Sequence, residues 1–123
     1  MKKVVMIAAT AALMMSGVAA TEAVAGAEGK CKACHNFTDA GKVGPGLAGV
    51  VGRAAGKTDF GKYSDSLAGA TWTWDEEHLR KWMCNSKDAI KEFTGDDHAT
   101  TKMPPQKVCG DKADEVIAFL KTI

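Results

Sequence analysis

Net charge is nearly absent from this chain. Its 123 residues carry 16 basic and 15 acidic side chains, a formal charge of +1, and nothing in that balance suggests a nucleic-acid partner, whose phosphates call for a basic surplus. Aromatic residues are few, 7% of the chain. A chain of this size then has little with which to fill a core, and a large apolar cofactor would supply the missing contacts. Sustained alternation of apolar and polar residues is missing too, which excludes a strand-rich fold and leaves an all-α one. No repeat, linker or low-complexity block divides the sequence, and its length suggests a single domain.

The long apolar stretch comes first. "MKKVVMIAATAALMMSGVAA" opens with Lys2 and Lys3, runs apolar from Val4 to Met15 and ends in small residues, the layout of a secretory signal peptide. Residues 1–20 are assigned to that peptide and residues 21–123 to the mature domain. Small residues allow cleavage after Ala20 or after Ala25. A retained membrane anchor is the alternative, but Thr10, Ser16 and Gly17 dilute the run. Export places the domain in the periplasm, an oxidising compartment in which unoccupied cysteines tend to pair. Losing Lys2 and Lys3 leaves 14 basic against 15 acidic residues.

Two helices are legible. In "CGDKADEVIAFLKTI" the residues Ala113, Val116, Ile117, Leu120 and Ile123 share one face, with Asp111 as expected N-cap and Asp114 and Glu115 in the first turn, where the helix dipole favours negative charge. In "TWDEEHLRKWMC" Thr73 and Glu76 have capping-box spacing, and Leu79, Trp82 and Met83 form the buried stripe. The glycine-rich stretch between residues 41 and 70 reads as irregular loop with one helical turn near Ser64–Leu67.

The chemistry is concentrated in "KCKACHNF". Cys31 and Cys34 could hold half of a zinc site, but Cys84 and Cys109 are too far apart to be the other half. A thioredoxin-like pair would need a βαβ setting that is missing. With His35 directly after Cys34, the pentapeptide is the attachment signal of a covalent c-type haem: two sulfurs on one helical turn form thioethers, and the next imidazole reaches the iron. A sixth iron ligand could come from Met83, Met103, His78 or His98. Met83 sits on an apolar stripe and reads as core. His78 lies beside Glu76 and Glu77 and reads as solvated. Met103, in "TTKMPPQ", is held in a segment stiffened by Pro104 and Pro105 and is the leading candidate, with His98 of "GDDHATT" retained as the alternative.

From about residue 29 to 123 the chain resembles the class I c-type cytochromes of the bacterial cytochrome c2 and c-550 and mitochondrial cytochrome c kind. "CKACH", "VGPGL", "GRAAGK", "YSD", "TWDEEHLRKW" and "TKM" occur in the family's order. The resemblance implies a cytochrome c fold wrapped around one haem c, bound through Cys31 and Cys34. It implies His35 and Met103 as iron ligands and a Pro45 carbonyl that accepts from the His35 ring. Arg53, Tyr63 and Trp74 become propionate partners, Trp82 lies beside the methionine sulfur, and Thr101 precedes that methionine closely. With both axial positions filled the iron exchanges electrons only, so the chain is expected to be a monomeric electron carrier and not an enzyme. Its partners would be membrane redox complexes such as a cytochrome bc1 complex and an oxidase or photosynthetic reaction centre.

The chain departs from that pattern in two places. The aromatic residue usual a few positions before the first cysteine is replaced within "VAGAEGK", which weakens the expected contact with Phe119 and Leu120 and favours cleavage after Ala20. Cys84 and Cys109 are additional; a disulfide between them would tie both ends of the loop bearing Met103, the alternative being two buried thiols. Lys30, Lys32, Lys42, Lys87, Lys91, Lys102 and Lys107 flank the segments around the expected haem edge, although Asp96 and Asp97 temper the asymmetry. Two further readings compete with the free carrier: a cytochrome subunit of a larger oxidoreductase complex, and a peroxidase-like or gas-binding haem protein with a displaceable sixth ligand.

Overall fold

The computed structural model describes residues 26–123; the expected signal peptide and both expected cleavage sites lie outside the described residues. Within them the chain forms five helices: α1 (Gly29–Lys32), α2 (Asp65–Ala68), α3 (Glu76–Cys84), α4 (Ser86–Thr94) and α5 (Asp111–Leu120). The only extended pairing among the described residues is one isolated antiparallel bridge, Ala54 to Thr73, so the fold is all-α. No described helix is long and apolar enough to cross a membrane.

Helix α3 organises the rest. Its face of Leu79, Trp82 and Met83 is buried, and it packs against both α4 and α5. The expected cap needs correction: the Asp75 carboxylate, not Thr73, accepts the His78 backbone N–H at 2.8 Å, while Thr73 is engaged in the bridge to Ala54. Helix α5 buries Ala113, Val116, Ile117 and Leu120. Asp111 does not cap it. Gly110 occupies the cap position at φ 58°, with no side-chain cap, and Asp111 and Asp114 lie in the first turn, where the helix dipole favours negative charge. Arg80 of α3 reaches Asp114 of α5 at 2.6 Å.

Helix α4 went unread in the sequence. Asn85 ends α3 and begins α4, its side chain accepting from the Asp88 N–H at 3.1 Å, and Gly95 closes α4 in the left-handed conformation at φ 72°. A polar cap, buried Ala89 and Ile90, and a terminal glycine are the usual helix punctuation, but the segment is short and mostly charged. The helical turn near Ser64 is present as α2, capped by the Ser64 hydroxyl. The N-terminal contact is made differently from the family pattern. Phe37, after the cysteine motif, meets Phe119 edge-on at 4.8 Å between ring centroids, and Ala27 and Cys31 pack against the core.

Candidate haem site

The elements enclose a cavity of about 560 Å³. Cys31, Cys34 and His35 line it from α1 and the turn that follows; Trp74 and Trp82 come from the approach to α3 and from α3 itself, and Met103 comes from the extended segment before α5. Both thiols are free and half-buried. Burial pushes the Cys31 thiol up from its ordinary value, with the Glu28 carboxylate and Cys34 adding to the effect, so in the bare polypeptide it is a neutral thiol.

His35 is oriented from behind. Its Nδ1 donates to the Pro45 carbonyl at 2.7 Å, which assigns the proton to Nδ1 and leaves the Nε2 lone pair free. Burial lowers the His35 pKa, opposed by the Pro45 bond and assisted by the Arg53 charge; the ring is the neutral ligand form. Gly44 lies so close to the ring that a Cβ there would clash with its Cε1.

Met103 is fixed at both ends. The Trp82 indole N–H donates to its sulfur at 3.0 Å, the Ser86 hydroxyl donates to its carbonyl at 2.7 Å, and Thr101 Oγ1 accepts its N–H at 3.3 Å. Sequence reasoning missed Ser86, which is fully buried; its place at the start of an unread helix carried no signal. The Cys84–Cys109 disulfide joins the end of α3 to the segment after Met103. The same junction has backbone bonds from Lys107 to the Cys84 carbonyl at 3.2 Å and from Val108 to the Met83 carbonyl at 3.1 Å.

Arg53 donates from Nη1 to Ala48 and from Nη2 to Gly46, both at 3.1 Å, while its buried Nε has no partner among the described residues. Tyr63 shares a 2.6 Å hydrogen bond with Thr58. Trp74 is buried against the cavity. Of the other ligand candidates, Met83 is core and also lines the cavity, but without the hydrogen bonds that hold Met103. His78 and His98 do not line it: the His98 side chain is 96% exposed, and His78 is not solvated as expected but lies half-buried on the Trp72 ring.

Two thiols, a neutral imidazole with a free Nε2, a thioether and an orphaned guanidinium nitrogen share one apolar cavity. These residues fit a haem c: thiols for the vinyl groups, soft and imidazole ligands for iron, and cationic donors for carboxylates. Such a set defines a haem-binding electron-transfer protein, and the comparisons agree. The chain is 38% identical over 99 residues to cytochrome c2 of Rhodospirillum rubrum, a match covering 76% of this chain and 88% of that protein. Cytochrome c2 from Rhodobacter sphaeroides superposes with a TM-score of 0.71 at 34% identity, covering 83% of this chain and 94% of that one. Ferric cytochrome c-550 from Paracoccus versutus gives 0.70 at 32% identity, with 82% and 94% covered. No family model matches the chain. By these relationships the chain belongs to the class I c-type cytochromes of the cytochrome c2 and c-550 family, electron carriers with one covalently attached haem c.

Proposed function

We propose that the chain is an exported, periplasmic one-electron carrier whose haem iron lies between His35 and Met103. It would shuttle electrons between membrane redox complexes, such as a cytochrome bc1 complex and an oxidase or photosynthetic reaction centre. The observation that carries this reading is the 3.0 Å bond from Trp82 Nε1 to Met103 Sδ. A core methionine has no need of a buried donor on its sulfur, whereas a ligand sulfur does need to be held at one place.

When bound, the haem supplies a reversible one-electron couple, which a neutral thioether ligand shifts toward the reduced state. The chain's own residues do the rest. Cys31 and Cys34 would anchor the group, Pro45 accepts from His35 and so fixes its tautomer, and Arg53, Tyr63 and Trp74, which line the cavity, would offer donors to the propionates. Lys30, Lys42, Lys62 and Lys102 line the cavity mouth beside Val43, which is 66% exposed. A small apolar contact ringed by positive charge suits brief docking to an acidic partner surface.

Visible spectra of ferric and ferrous holoprotein, with and without carbon monoxide, test the reading. A near-red methionine-to-ferric-iron band and no ferrous response to carbon monoxide are expected. A ready response and no such band would replace the carrier with a protein of displaceable sixth ligand. Purification only as part of a larger assembly would replace it with a complex subunit, and partner electron transfer that did not slow with rising salt would remove the docking charge.

A further inference from the structure

Three tryptophans form a chain of ring contacts that leaves the haem cavity. Trp82, hydrogen-bonded to Met103, meets Trp74 at 5.1 Å between centroids, and Trp74 meets Trp72 at 6.0 Å. Trp82 and Trp74 line the cavity; Trp72 does not. Trp72 instead stacks on His78, interplanar angle 7°, whose side chain is 30% exposed and bonded to Asp75 at 2.8 Å. Phe93 packs on both partners, 5.1 Å from Trp72 and 4.6 Å from His78. Trp72 is therefore the single redox-active ring between the cavity wall and this part of the surface.

Packing alone accounts for the contacts, since edge-to-face rings are favourable in any core. The indole nitrogens add a second observation. Trp72 Nε1 is buried with no hydrogen-bond partner among the described residues, and Trp82 Nε1 donates to a thioether, a weak acceptor and a poor base. An indole that loses an electron at either position has nowhere to send its proton. It stays a cation radical and is refilled without any proton having to return.

We propose that Trp72, Trp74 and Trp82 are a one-electron relay joining the haem cavity to the surface at His78, a second exchange face used by strong one-electron oxidants. This rests on the carrier reading above. An oxidant at that face takes one electron from Trp72, Trp72 is refilled from Trp74, Trp74 from Trp82, and Trp82 from the reduced haem. The oxidant gains one electron, the haem loses one, and no proton moves. Four short steps replace one long tunnelling step, whose rate would fall exponentially with distance.

The test uses ferrous holoprotein with a photo-activated ruthenium oxidant attached to His78 in the H98Q variant, and flash kinetics of haem oxidation. Trp72→Phe keeps an apolar ring in the core but cannot be oxidised, and slowing by about an order of magnitude is expected at unchanged melting temperature and unchanged near-red methionine band. Trp72→Tyr does not recover the rate, because a phenol gives up an electron readily only with its proton and this position offers no acceptor; a packing role would predict recovery, and a transient tryptophan cation-radical absorption that weakens in Trp72→Phe is expected beside it. With the label on His98 in the H78Q variant, Trp72→Phe leaves the rate as it was. An unchanged rate in Trp72→Phe labelled at His78 overturns the relay. Failure of haem oxidation from both labels would overturn the carrier reading instead.

Discussion

The Ser86 hydroxyl donates to the Met103 carbonyl at 2.7 Å while Trp82, four residues earlier in sequence, donates to the sulfur of the same residue. One helix junction therefore holds both the backbone and the side-chain end of the methionine. Ser86→Ala leaves a carbonyl without its buried donor, a loss of about 1–3 kcal/mol. Expected are a lower melting temperature and displacement of Met103 at lower concentrations of an added ligand such as imidazole, read from the near-red band.

The Cys84–Cys109 disulfide closes a loop of sequence separation 25 that contains Met103. Chain-entropy reasoning assigns such a crosslink about 3–4 kcal/mol. The double variant C84S/C109S should lose roughly that much stability in denaturant melts, and its methionine band should vanish earlier in the transition than overall helicity. Unfolded holoprotein should show no free thiols, since the haem takes the other pair; two free thiols would remove the crosslink from the account.

Much of this arrangement was legible because a few residue types admit few uses. "CKACH" combines two thiols and an imidazole at a spacing that suits a haem and little else, and the apolar faces of α3 and α5 repeat at helical spacing. Helix caps were less legible. Thr73 and Asp75 are both good caps, and only the bridge that occupies Thr73 decides between them. Ser86, Phe37 and the stacking of His78 on Trp72 depend on contacts between distant segments. His78 between two glutamates and a leucine looks like a solvated residue until Trp72 and Phe93 are seen to cover it.

Gly44 offers a test of the ligand side. A Cβ at this position would clash with His35 Cε1 and lie 2.8 Å from Nδ1, and that ring is pinned by Pro45 and cannot swing aside without losing its hydrogen bond. Gly44→Ala should destabilise the holoprotein by about 1–3 kcal/mol, the usual cost of overpacking. It should also lower the yield of haem-loaded protein on expression, measured as the ratio of haem to peptide absorbance.

Asp75 makes a prediction about acid. Its carboxylate accepts the His78 backbone N–H and pairs with the His78 ring, both at 2.8 Å, and these contacts, the backbone bond first, hold its pKa below the ordinary carboxylate value. A group whose folded pKa is depressed contributes stability that is present above its unfolded pKa and is lost as pH falls through the folded one. Asp75→Ala should therefore cost about 1 kcal/mol near neutrality, the value of a helix cap. The difference between parent and variant should shrink as pH falls below the ordinary carboxylate range, because the protonated parent then lacks the same anionic acceptor. Melting temperatures of both proteins across that range check the sign: a gap that stayed constant in acid would mean that Asp75 acts through packing and not as a charged cap.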